Sequence, residues 1–155
     1  MFPFSVVRTY VFVLAVAAGL MAINGHSHPA MADERADAVL AANAEFYRAF
    51  RESDIPAMEK VWGAEGTITV VHPGWNPLNG RDVVLESWRR ILENPESPKI
   101  EFQNAKVEFR EGMAVVTCDE LLAGGSIKAL NIFRLEDGAW KMVFHGAAAS
   151  ASTDT

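Results

Sequence analysis

Apolar positions along this chain change period twice, and those changes divide it into segments. Met1–Tyr10 carries one charge, Arg8, and leads into an unbroken apolar run from Val11 to Ile23. As a helix that run would rise about 20 Å, short of the roughly 30 Å hydrocarbon core of a bilayer. The polar stretch Asn24-Gly25-His26-Ser27-His28-Pro29 follows, and Ala30-Met31-Ala32 ends it with small residues at the two positions a leader peptidase reads. This order predicts a secretory signal peptide over residues 1–32, cleaved to leave a chain that starts at Asp33 and is secreted or periplasmic in a bacterium. An uncleaved anchor is the alternative reading. No cysteine follows the run for lipid attachment, and no twin arginine precedes it.

Beyond Asp33 the period becomes helical. Val39, Ala42, Phe46, Ala49 and Phe50 recur at three- and four-residue steps, with Arg35, Asp37, Glu45, Arg48 and Arg51 largely elsewhere, which predicts an amphipathic helix over 34–52. Ser53-Asp54 supplies a cap for a second, short helix in which Pro56 is tolerated in the first turn. Ile55, Met58 and Val61 or Trp62 form its apolar stripe, and Gly63 and Gly66 end it. Thr67–His72 is β-branched and reads as a strand; Pro73-Gly74-Trp75-Asn76-Pro77 then forces a loop. A third helix opens at Asn79 or Gly80, buries Val84, Trp88 and Ile91, and stops at Asn94-Pro95.

The period then falls to two. Ile100–Arg110, Met113–Leu122, Ser126–Leu135 and Ala139–His145 are four strands separated by Glu111-Gly112, Gly124-Gly125 and Asp137-Gly138, turns that suit tight antiparallel hairpins. The expected fold is α+β, with an antiparallel meander whose helices all lie on one face. The domain is expected to cover 33–149, with 150–155 as a flexible tail.

Composition narrows the function. A formal charge of -6, from 14 basic and 20 acidic residues, argues against nucleic acid, and losing Arg8 with the leader strengthens the acidic excess. With 22% charged and 10% aromatic residues the chain is too ordinary in content to be disordered. Cys118, the one cysteine, rules out an intrachain disulfide and reads as a small core residue. After leader removal only His72 and His145 remain as imidazoles, on different strands and without metal-ligand spacing, so neither a metal nor a cofactor is expected.

Several segments carry a family resemblance. These are Phe46-Tyr47-Arg48-Ala49-Phe50 followed by Asp54-Ile55-Pro56-Ala57-Met58, then Val61-Trp62, His72-Pro73-Gly74-Trp75, Gly80-Arg81, Asn131-Ile132-Phe133 and Trp140–His145. In order and spacing the chain resembles the nuclear transport factor 2-like, or cystatin-like cone, superfamily, and within it the SnoaL-like and ketosteroid isomerase-like proteins. The resemblance implies a curved, mostly antiparallel sheet wrapped around three N-terminal helices, a pocket inside the cone, and a homodimer. It also implies a departure. His72 stands where the family's isomerases carry an aspartate base, and Phe46 where they carry a helical tyrosine, with Tyr47 one residue along.

The candidates for chemistry follow. His72 ends a strand before a stiff loop and is a candidate general base; a satisfied loop histidine is the plainer reading. Glu120 alternates with Asp119, so one of the two carboxylates faces the core side and would have its pKa raised by burial. Asn131 sits among apolar neighbours and either orients a ligand or pins the sheet. Strict alternation puts His145 with Lys141 and Val143, opposite the greasier Trp140, Met142 and Phe144, and so predicts a more exposed His145 unless the cavity lies on its side, in which case it lines the pocket. Tyr47, Trp62, Trp75, Trp88 and Phe133 are bulky enough to line a pocket or to fill it, Trp75 as a lid. The expected function is binding of a small, largely apolar molecule, with no membrane association once the leader is gone. A cofactor-free lyase or isomerase is the alternative, with His72 as base and Asn131 or a strand carboxylate polarising the substrate.

Overall fold

The computed structural model describes residues 29–148. The predicted signal peptide lies mostly outside the described residues. Its last residues, from Pro29, begin helix α1, Pro29–Glu52, so the expected cleavage point between Ala32 and Asp33 falls near the start of that helix rather than before it. α2, Ile55–Val61, is capped by the Asp54 side chain, which accepts from the Ala57 amide at 3.0 Å. β1 is shorter than the sequence suggests, Thr69–Val71. A two-residue β2, Leu78–Asn79, follows the expected loop, takes a residue read as a possible helix start, and pairs antiparallel with β1. α3 spans Arg81–Glu93 and ends at Asn94, before Pro95. Then come β3, Glu101–Arg110; β4, Met113–Leu122; β5, Gly125–Glu136; and β6, Ala139–Ala148.

The strands form one six-stranded sheet in the order β2-β1-β6-β5-β4-β3. β1 runs parallel to β6, and every other neighbour is antiparallel. Two hairpins close on consecutive positive-φ residues, Glu111 (44°) with Gly112 (83°) and Asp137 (49°) with Gly138 (79°), the handedness that matches strand twist. Arg81 clasps the roof: its guanidinium donates to the Glu59, Trp62 and Gly63 carbonyls, tying the start of α3 to the end of α2.

The inner sheet face presents Ala114, Val116, Cys118 and Glu120 of β4 toward the helices. Register places Val116, Asn131, His145 and Val70 in one row across four strands, all buried. This corrects the expectation for His145, which is 3% exposed. Pairing passes from Ile132↔Phe144 to Phe133↔Met142, so Val143 is an extra residue in β6. A bulge adds one residue and shifts the alternation, so Met142 and His145 both face inward.

Candidate functional site

The interior is filled in part. Phe46, Trp62, Phe133 and Met142 pack solidly, and Trp62 lies 6.4 Å from Trp88 between ring centroids. A hollow of about 300 Å³ survives beside them. Phe50, Trp75, Trp88, Ile91, Ile100, Leu122 and Ile127 wall it, and His72, Glu120 and His145 supply its ionisable groups. Three larger depressions are open at the surface: two, of about 540 and 580 Å³, carry charged side chains such as Asp119, Lys128, Glu136 and Lys141, and a third, of about 470 Å³, lies over Val71, Leu130 and Phe144 on the outer sheet face.

Several expected positions therefore change. Trp75, Trp88 and His145 do line the hollow, as do His72 and Glu120. Tyr47, Trp62 and Phe133 do not; they are buried packing behind it. Asn131 also lies behind the wall rather than on it, so it cannot itself polarise a bound molecule. Trp75 is 46% exposed in the loop after β1 and meets the His72 ring nearly at right angles, with centroids 5.0 Å apart.

His72 follows β1, and its Nε2 lies 2.9 Å from Ser87 Oγ. The Ser87 hydroxyl donates to the Val84 carbonyl of its own helix at 2.7 Å, so the partner pattern assigns the ring proton to Nε2 and a lone pair to Nδ1. Burial pulls the His72 pKa down to about 4.

The other two groups belong to a buried network. The Tyr47 hydroxyl donates to Glu120 Oε1 at 2.8 Å. Its only proton is then spent, so the Asn131 atom 3.3 Å away is the amide nitrogen, which also donates to Asn43 Oδ1 at 2.7 Å. Asn131 Oδ1 must accept from His145 Nδ1, 2.7 Å away, which leaves the Nε2 lone pair 3.8 Å from Glu120 Oε1. Burial, with the nearby His72 as a lesser cause, holds His145 down to about 3. Burial raises the Glu120 carboxyl, against the opposing effect of the Tyr47 hydrogen bond. It raises the Tyr47 phenol and the Cys118 thiol too, which makes Cys118 a poor nucleophile.

Sequence reasoning passed over Asn43 and Ser87. Each interrupts an apolar helical stripe, Asn43 between Val39 and Phe46 and Ser87 between Val84 and Trp88. A polar residue in a core stripe must find a partner, and that signal was available. Among the described residues no cluster of ligating side chains is arranged to hold a metal ion.

Helices roofing the inner face of a curved sheet, with a small hollow left between them, define a nuclear transport factor 2-like cone. The model of the SnoaL-like domain matches residues 39–151, and the chain belongs to that family. A candidate dehydratase of the nuclear transport factor 2-like family from Streptomyces avermitilis is 30% identical with a TM-score of 0.70, over 78% of this chain and 99% of that one. A candidate calcium/calmodulin-dependent protein kinase type II association domain from Thiobacillus denitrificans is 28% identical, with a TM-score of 0.65, over 72% and 94% of the two chains. An F-box protein of Arabidopsis thaliana, SKIP8, is 24% identical over 110 residues, 70% of this chain, which spans about half (48%) of that curated relative.

Proposed function

We propose that this SnoaL-like chain binds a small, largely apolar molecule in the hollow between α1, α3 and the sheet. The observation that carries this reading is the wall itself: aromatic and aliphatic side chains enclose about 300 Å³, and the polar atoms facing it come from few residues. That is the composition of a site that buries an apolar body and orients it by a few contacts. Export after cleavage at Ala32 is part of the proposal, supported by the order of basic, apolar and small-residue segments. So is a homodimer through the outer sheet face, supported by the apolar patch that Val71, Leu130 and Phe144 form there. One native mass spectrum of protein purified from its host tests all three. The expected result is a chain beginning at Asp33, at twice the chain mass, retaining a small molecule released on denaturation. A bare monomer that keeps its leader would refute each in turn.

A specific observation favours a second reading, that of a cofactor-free lyase. His72, Glu120 and His145 converge on one hollow, although burying ionisable groups costs stability that simple binding does not require. The likeness to a candidate dehydratase points the same way. In this reading the free His72 Nδ1 is the general base and Ser87 holds its ring. On a turned-over compound, His72→Ala is expected to lower kcat about 100-fold or more. Unchanged kcat removes His72 from the mechanism.

A further inference from the structure

We infer that the hollow is built for a small apolar amine, held as its ammonium between Glu120 and His145; this deepens the small-molecule reading above and rests on it. The donors of the polar network around Glu120, His145 and His72 are already committed, while the Trp88 indole N–H in the wall has no partner among the described residues. The Tyr47 hydroxyl donates to Glu120, the Asn131 amide to Asn43 and Tyr47, and the His145 Nδ1–H to Asn131. His72 gives its Nε2–H to Ser87, and the Ser97 hydroxyl is turned to the Ile91 carbonyl. What these side chains offer a guest is therefore acceptors: His72 Nδ1, His145 Nε2 and the Glu120 carboxylate, whose second oxygen takes no hydrogen bond from the described residues.

Two of those acceptors face each other. Glu120 Oε1 and His145 Nε2 are 3.8 Å apart, too far for a direct hydrogen bond and close enough for one donor atom to reach both at about 2.8–3.0 Å. Such an atom needs two protons, which an ammonium, a carboxamide nitrogen or a water has and a hydroxyl lacks, and of these the ammonium alone carries the charge that answers the Glu120 carboxylate. The Trp88 ring, 5.7 Å from the His145 ring between centroids, is near enough to add cation–π attraction. Placed in that gap, a carbonyl oxygen would meet two acceptors, and a carboxylate would bring a like charge to Glu120. Burial keeps both imidazoles neutral, so they supply no positive charge to offset it.

The opposite polarity is also well defined. A proton on Glu120 would donate to Tyr47, Tyr47 to Asn131, and the turned amide to His145 Nδ1, leaving an Nε2–H to face the guest. That state takes a ketone rather than an amine. Benzylamine, acetophenone and benzoate, similar in size, separate the two in calorimetric titrations of the protein. Benzylamine is expected to bind about tenfold or more tightly than acetophenone, with benzoate silent, and Glu120→Gln to lose that advantage while keeping acetophenone. Tighter binding of acetophenone, or full amine affinity in Glu120→Gln, overturns the amine assignment and leaves the small-molecule reading standing. If none of the three binds at millimolar concentration, both fall.

Discussion

Acidification from pH 7 to pH 4 is expected to cost this protein on the order of 3 kcal/mol for each of its two buried histidines. The sign follows from the direction of the shifts. His72 and His145 sit at about 4 and about 3 in the folded chain, against 6.5 when unfolded. The unfolded chain therefore takes up protons first as pH falls below 6.5, and the fold loses stability continuously toward pH 4. Glu120 acts in the other sense. Its raised folded pKa gives stability that is full at low pH and lost as pH rises through that value, so it returns part of the loss. Since a domain this size is stable by roughly 5–15 kcal/mol, the net effect is large enough to lower the urea midpoint steeply, with unfolding setting in near pH 4. A double variant, His72→Gln with His145→Gln, should flatten the profile between pH 6.5 and 4. A wild-type urea midpoint that stays level over that interval would contradict the neutral, buried state of both rings.

Trp88→Ala is the substitution with the largest expected cost, about 3–5 kcal/mol. The side chain is 2% exposed, and its ring lies 4.8 Å from His72, 5.2 Å from Phe50 and 5.3 Å from Phe46 between centroids. It is both core and wall, because the same indole backs the hollow. Removal therefore joins a new cavity to an existing one, and the rigid α3 and sheet on either side cannot close on it. Its Nε1–H has no partner among the described residues, so no hydrogen bond is lost and the cost is one of packing. Thermal denaturation is expected to move down by on the order of 10 °C or more. A shift of only a degree or two would mean that neighbours collapse into the space and that the hollow is not held open by its walls.

Trp75 could be placed from its position in a stiff loop, and Trp88 from its stripe on a helix. Trp62 and Phe133 satisfy the same criteria of size and burial, yet they pack away from the hollow. Size and period place a side chain inside. They do not say which part of the inside stays empty, because that is set by how three helices of fixed length lie across a twisted sheet.

The chain order itself determined the helices, the four long strands and their tight turns. Local rules govern these: a 3.6-residue stripe, a two-residue alternation, an Asp54 cap, and positive φ at Gly112 and Gly138. It likewise determined that one of Asp119 and Glu120 faces the core, though not which. Tertiary structure decided the rest. A single extra residue at Val143 turned His145 inward, against the alternation. The polar chain from Asn43 through Asn131 and Tyr47 to Glu120 joins residues 73 to 88 positions apart. Hydrogen bonds over such separations leave no trace in local pattern, since each partner is chosen by where the sheet and the first helix meet.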